Sequence, residues 1–193
     1  MNREEALSIV RDCLKPGRFR HSVGVAETAE KLALLWGADP EKAFLAGILH
    51  DYAKDMEEER LIAVAVDNDL LKEDWQRDIP EVLHGGVGAV LLEREQKITD
   101  SAILSAIRNH TLGSPHMPIL DEIVLVADMI EPYSRSAAEF GPIRALAEVD
   151  LQQAVLAALN ATLSYCLKQK KLIHPQTVIT RNYYVKLITT KES

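Results

Sequence analysis

Ala43-Phe44-Leu45-Ala46-Gly47-Ile48-Leu49-His50-Asp51 carries an apolar run straight into an imidazole beside a carboxylate. Seven apolar or small residues in succession make a buried element, and Asp39-Pro40 ahead of them supplies an N-cap and a first helical residue. The element is therefore a buried helix. It delivers His50 and Asp51 to the protein interior, where a charge is costly unless it is paired or bound to a metal.

The same helical period extends outward on both sides. Asn2 with Glu5 reads as a capping box before Ile9, Val10, Cys13 and Leu14, and Pro16-Gly17 ends that helix. A second helix is expected over about 18–36, with Val25, Ala29, Leu32 and Trp36 on one face and Gly37 as its stop. Beyond Asp51 a short helix is expected near 57–66, then an acidic, irregular connection over 67–80 with Trp75 tucked in. A helix with His84 and a small-residue face follows, and Thr99 is read as the cap of a helix ending near His110. After a loop with Pro115 and Pro118, Asp121 is read as the cap of a helix ending near Pro132. Gly141-Pro142 is read as opening a short helix, Asp150 a long one to about 170, and Pro175 a last one with Val178, Tyr184 and Leu187. No strand alternation and no internal repeat stand out. The fold class is all-α, a helical bundle, in one domain spanning 1–193.

Bulk properties narrow the function. Aromatic residues are only 5%, so Leu, Ala, Ile and Val must fill the core. The net charge of -7 argues against a general nucleic-acid binder, which needs a Lys/Arg excess, but leaves room for a small phosphorylated ligand in a locally basic cleft. No apolar stretch approaches a membrane span, and Met1-Asn2-Arg3-Glu4-Glu5 lacks the form of a signal peptide. Cys13 and Cys166 are far apart and show no metal-type spacing, which suits free thiols in the cytoplasm.

Four residues stand out as ligands: His21, His50, Asp51 and Asp128, each in or at the end of an expected helix. Taken singly, each reads as a hydrogen-bonded core histidine or a cap. As a set, they can converge inside a bundle on one metal ion. Mixed nitrogen and oxygen donors suit iron, manganese, zinc or nickel, and suit calcium poorly. Lys54 is three residues past Asp51, and Arg18 three before His21, so each shares a helical face with a ligand and can reach a phosphoryl oxygen. His84 and His110 have two roles open: donors to phosphate when protonated, or ligands of a second metal ion with Asp51 bridging. His116 and His174 read as structural.

The ordered set His21, His50-Asp51, His84, His110 and Asp128 resembles the HD-domain metal-dependent phosphohydrolase superfamily. The segments Arg20-His21-Ser22-Val23-Gly24-Val25, Ala46-Gly47-Ile48-Leu49-His50-Asp51-Tyr52-Ala53-Lys54, Leu83-His84-Gly85, Asn109-His110-Thr111-Leu112-Gly113 and Ala127-Asp128-Met129-Ile130-Glu131-Pro132 are similar to the bacterial YqeK-type family over nearly the whole chain. That resemblance implies an HD-domain bundle and symmetrical hydrolysis of diadenosine tetraphosphate to two ADP. It further implies a bound iron and a homodimer. Carried over by motif, His21, His50, Asp51 and Asp128 hold the metal, Asp51 and Lys54 are catalytic, and Arg18, Lys54, His84, His110, Thr111 and Arg135 contact the nucleotide substrate. The stretch after Glu131-Pro132 departs from the family pattern, with Tyr133-Ser134-Arg135 first and Phe140-Gly141-Pro142 later. Alternatives are another HD-type nucleotide phosphohydrolase or phosphodiesterase, or a non-catalytic nucleotide-binding regulatory module.

Overall fold

In the computed structural model, which describes residues 1–133 and 136–191, the chain order is α1 (Arg3–Cys13), α2 (Pro16–Trp36), α3 (Pro40–Leu49), α4 (Glu58–Asp67), α5 (His84–Gln96), α6 (Ser101–Asn109), α7 (Ile119–Ile130), α8 (Ala137–Val149), α9 (Leu151–Lys168) and α10 (Pro175–Lys191). No strand occurs among the described residues. The connection between α4 and α5 is less irregular than expected, because Asp74–Asp78 winds into a short 3-10 helix closed by a capping box between Glu73 and Gln76.

The caps explain most helix starts. Asn2 and Glu5 exchange the reciprocal bonds of a capping box, and Asp39 accepts from the N–H groups of Glu41 and Lys42. Asp150 accepts from Gln153 at the head of α9. Three expected starts are corrected. Asp100, not Thr99, caps α6, accepting from Ala102 and Ile103. Helix α7 starts at Ile119 behind Pro118, so Asp121 lies in its first turn, where it is buried against α6. Pro142 lies inside α8, which begins five residues earlier and is held by the buried Ile143 and Ala147.

Helix α7 is the centre of the molecule. It packs against α2, α3, α6, α8 and α9, and Ile123, Val124, Val126 and Ala127 are fully buried. Around it Val25, Ile48, Leu49, Ile107, Val155 and Leu159 form one continuous core. Each fully buried side chain of this kind contributes about 2 kcal/mol over leaving it in water. A second cluster, with Ala53, Leu61, Val87 and Leu91, binds α4 and α5 beside the first. The inner face of α10 is Thr177, Thr180, Tyr184 and Ile188, whereas Val178 is exposed. Thr180 is admitted to the interior because its hydroxyl donates to the carbonyl of Gln176.

Two glycines bring helices unusually close. A Cβ on Gly47 would lie 2.8 Å from the Cα of Ala26, so α2 and α3 touch backbone to backbone. A Cβ on Gly85 would lie 3.0 Å from the carbonyl oxygen of Ile107, so α5 meets the end of α6 in the same way. The first approach places His21 near His50. The second places His84 near His110.

Candidate metal and phosphate centre

The side chains picked out as metal ligands meet at one point. Nε2 of His21 lies 2.9 Å from Oδ1 of Asp128 and 3.9 Å from Oδ2 of Asp51. Nε2 of His50 lies 3.4 Å from Oδ2 of Asp51 and 3.8 Å from Oδ1 of Asp128. Atoms held about 2.0–2.2 Å from a common ion sit roughly 3–3.5 Å from one another, so the spacing matches a coordination shell. His50 is wholly buried, and its Nε2 has no hydrogen-bond partner among the described residues. An imidazole nitrogen so placed needs a partner, and a metal ion supplies one.

The tautomers agree. Nδ1 of His50 donates to the carbonyl of Gly47 at 2.7 Å, Nδ1 of His110 to that of Ile107 at 2.7 Å, and Nδ1 of His84 to that of Glu81 at 2.6 Å. Each ring is pinned by the carbonyl three residues earlier, at a helix end or start. His21, in mid-helix, has no such carbonyl free; its Nδ1 meets Oε1 of Glu131 at 2.9 Å. With Nδ1 carrying the proton, every Nε2 faces inward as a lone pair, the form that ligates metals.

Asp51 ties the centre together. While Oδ2 faces His21 and His50, Oδ1 lies 3.1 Å from Nε2 of His84 and 3.9 Å from Nε2 of His110. Those two nitrogens are 2.9 Å apart, and the hydroxyl of Thr111 is 2.9 Å from Nε2 of His110. The guanidinium of Arg18 donates to Oδ2 of Asp51 at 3.1 Å. The half-buried Lys54 ammonium donates to the carbonyl of Glu81 at 3.4 Å, as close as it is to Nδ1 of His84. All the sequence-derived site residues within the described part thus gather in one place. Arg135 lies outside the described residues.

Charge is strongly organised here. Burial opposes the charge on Asp51, yet His50 and His84 hold its carboxyl well below the usual carboxylate range. Burial also opposes the charge on Asp128, and His21, His50 and His110 together hold it low. Burial pushes His50 down, but the carboxylates of Asp51 and Asp128 outweigh it and leave the imidazole above its ordinary value. At the other pole burial wins: His84 is lowered, and His110 is pushed down to about 3. Burial lowers Lys54 as well, against the pull of Asp51.

One residue in contact with the candidate ligands was not legible from residue type alone. Glu131 is fully buried, binds His21 through Oε1 and takes the backbone N–H of Tyr133 on Oε2 at 2.6 Å. Arg144 of α8 clamps this turn by donating to the carbonyls of Ile130 and Glu131. The only sequence signal was the Glu-Pro pair itself. Tyr133 turns its hydroxyl to Glu27 and lies on the surface. His174, read as structural, packs on Trp75 and lies 2.8 Å from Gln76; it also lines a cleft of about 320 Å³ with Leu70, Gly86, Asn109 and Leu112. Two residues of its wall, Asn109 and Leu83, immediately precede His110 and His84 in the chain.

A family model for the HD domain matches residues 18–133, the span that holds His21, His50, Asp51 and Asp128, the four candidate ligands. The chain belongs to the HD domain family. It is 40% identical over 185 residues to the symmetrical bis(5'-nucleosyl)-tetraphosphatase of Bacillus subtilis, covering 96% of this chain and 98% of that one. It is 32% identical to the protein of the same name from Staphylococcus aureus, covering 95% of each. A crystal structure from Clostridium acetobutylicum, described as a predicted HD superfamily hydrolase involved in NAD metabolism, superposes with a TM-score of 0.91 at 31% identity, over 96% of this chain and 98% of that one. Membership in this family goes with a divalent metal ion, and the donor set here fits one. No helix among the described residues is long and apolar enough to cross a membrane.

Proposed function

We propose that this protein hydrolyses diadenosine tetraphosphate symmetrically, releasing two ADP. The observation that carries the reading is the placement of Asp51, which turns one carboxylate oxygen to each of two histidine pairs beside a cleft of nucleoside size. The names of the relatives, matched over nearly their full length, supply the substrate.

His21, His50, Asp51 and Asp128 are the residues to hold the ion, which we take to be iron. A bound ion there supplies charge neutralisation on the polyphosphate and a water acidic enough to attack near neutral pH. The chain's own groups do the rest. Arg18 and Lys54 bring two cations to the phosphoryl oxygens, offsetting repulsion that keeps a nucleophile away. Asp51, held strongly ionised, orients the water. The water oxygen adds to one inner phosphorus, the central phosphoanhydride bond breaks, and the second ADP departs with the bridging oxygen. The released proton leaves with the departing ADP or to solvent, and His84, His110 and Thr111 are assigned to contact the phosphoryl oxygens. Arg135 is assigned to the substrate on its motif alone.

A specific observation favours a second reading of the His84–His110 pole. Both Nε2 lone pairs and Oδ1 of Asp51 converge there, a donor set fit for a second ion bridged by Asp51. Metal content separates the two: one ion per chain supports phosphate contact, two support a bridged pair. We further propose one cytoplasmic domain acting as a homodimer. Two free thiols and the exposed Leu34, Leu35 and Val149 support this assignment.

Product analysis of metal-loaded protein tests the activity. ADP alone, with oxygen from labelled water in one of each pair of ADP molecules, is the expected outcome. ATP with AMP rejects symmetrical cleavage.

A further inference from the structure

A second buried carboxylate plays no part in the chemistry above. Asp121 is fully buried where α7 meets α6, and burial pushes its carboxyl above the usual range. Its Oδ2 takes two hydrogen bonds, from Nδ2 of Asn109 at 2.7 Å and from the hydroxyl of Ser105 at 2.8 Å. Its Oδ1 is buried without a hydrogen-bond partner among the described residues. An arrangement that leaves one oxygen unsatisfied is a poor way to join two helices, since a buried acceptor without a donor is destabilising. Such a cost points to a role beyond packing.

That role lies with Asn109. It is half-buried, precedes His110, and lines the 320 Å³ cleft beside the phosphate centre. A side-chain amide has a donor end and an acceptor end. Two acceptors, Oδ2 of Asp121 and the Ser105 hydroxyl oxygen, hold the donor end inward. An oxygen that accepts from Ser105 cannot also welcome the amide carbonyl, so the amide is not free to turn over. Oδ1 of Asn109 receives no hydrogen bond from a described residue, and Asn109 lines the cleft.

We propose that Asp121, acting through Asn109, fixes a hydrogen-bond acceptor in the nucleoside cleft and so selects nucleosides that present a donor to it. Asn109 is the specificity residue and Asp121 its positioning residue. The assignment rests on the reading of the cleft as the nucleoside end of the substrate. Two parts of an adenine nucleotide carry such a donor: the exocyclic amine of the base and the hydroxyls of the ribose.

The test is calorimetric binding to metal-loaded protein of ADP, 2'-deoxy-ADP, 3'-deoxy-ADP and purine riboside 5'-diphosphate, which lacks the exocyclic amine. Wild type should bind one of the three analogues at least about tenfold more weakly than ADP, which is one good hydrogen bond. That analogue names the donor. Asn109→Leu should bind ADP as weakly as it binds that analogue, and Asn109→Ser, a milder change at a half-exposed position, should show the same levelling. Asp121→Asn touches no ligand, yet lets the amide reverse, and should lose most of the selectivity while the thermal midpoint stays level or rises. Equal binding of all four ligands by wild type, or selectivity intact in both Asn109 variants, overturns the proposal. Full selectivity in Asp121→Asn overturns the part given to Asp121. Hydrolysis to ADP without selectivity overturns this inference alone, whereas selectivity without hydrolysis supports it and overturns the activity.

Discussion

The two sides of Asp51 are built from the same parts and end with opposite electrostatics. Each side has two histidines brought together by a close backbone approach, at Gly47 on one and Gly85 on the other. On the His21–His50 side a second carboxylate, Asp128, is 2.9 Å from one ring and 3.8 Å from the other, and His50 is held above its ordinary value. On the His84–His110 side no second carboxylate lies at that distance among the described residues; the Thr111 hydroxyl and the Lys54 ammonium stand there, and His110 falls to about 3. Burial is as deep on both sides, but Asp128 stands closest to the first pair, while His50, His84 and Lys54 add to burial in lowering the second.

The strongest way to break this comparison is to remove what the sides share. Asp51→Asn should lower kcat by roughly 10³-fold or more, because both sides lose their common oxygen. Purified variant with normal circular dichroism but near-normal turnover would end the proposal. Next in size is a split by side. His50→Gln should leave the protein with little bound metal after gel filtration, while His110→Gln should retain one ion per chain and lose activity about 10²-fold. Equal metal loss in both variants, read by elemental analysis, would show that the sides are one bridged site.

The pH dependence sharpens the contrast further. Ions bind the unprotonated imidazole, so protons compete for Nε2. His50 is raised, so competition on its side should begin above the ordinary histidine value of about 6.5, and affinity should fall as pH drops through that range. His110, lowered to about 3, offers almost no competition there. A chelator titration from pH 8 to 5 should lose the first ion; an ion that persists to pH 5 sits on the other side. A smaller effect comes from outside the ligands. Glu131→Gln keeps the shape and loses the charge that polarises His21, and should weaken metal affinity about 10–100-fold. The smallest is Thr111→Val, worth about a tenfold loss in kcat/KM with the metal content unchanged.

Much of this centre is legible in the amino-acid sequence. His50-Asp51 stood out because an apolar helix ending in an imidazole and a carboxylate, with His21 and Asp128 at other helices, makes a set that caps alone do not explain. Asn2, Asp39 and Asp150 were readable as caps because their oxygens serve the backbone beside them. Failures came where the partner is remote or the choice is between neighbours. Thr99 and Asp100 are both good caps, and only the chain path decides which oxygen reaches Ala102. Asp121 has the residue type of a cap, but its partners lie on another helix. Glu131 closes α7 in a way that any acid could, and its task is set by His21, far earlier in the chain. Pro142 reads as a helix start, yet Ile143 and Ala147 pack well enough to carry α8 through it.

The reliance of His21 on Glu131, with Arg144 securing that turn from α8, has a bearing on synthesis. A ribosome delivers His21, His50 and Asp51 early, and the last ligand and its brace only with α7 and α8. A nascent chain stalled before α7 would hold three of the four candidate donors without Asp128 or Glu131, so the complete donor set is expected to form only once α7 and α8 are in place.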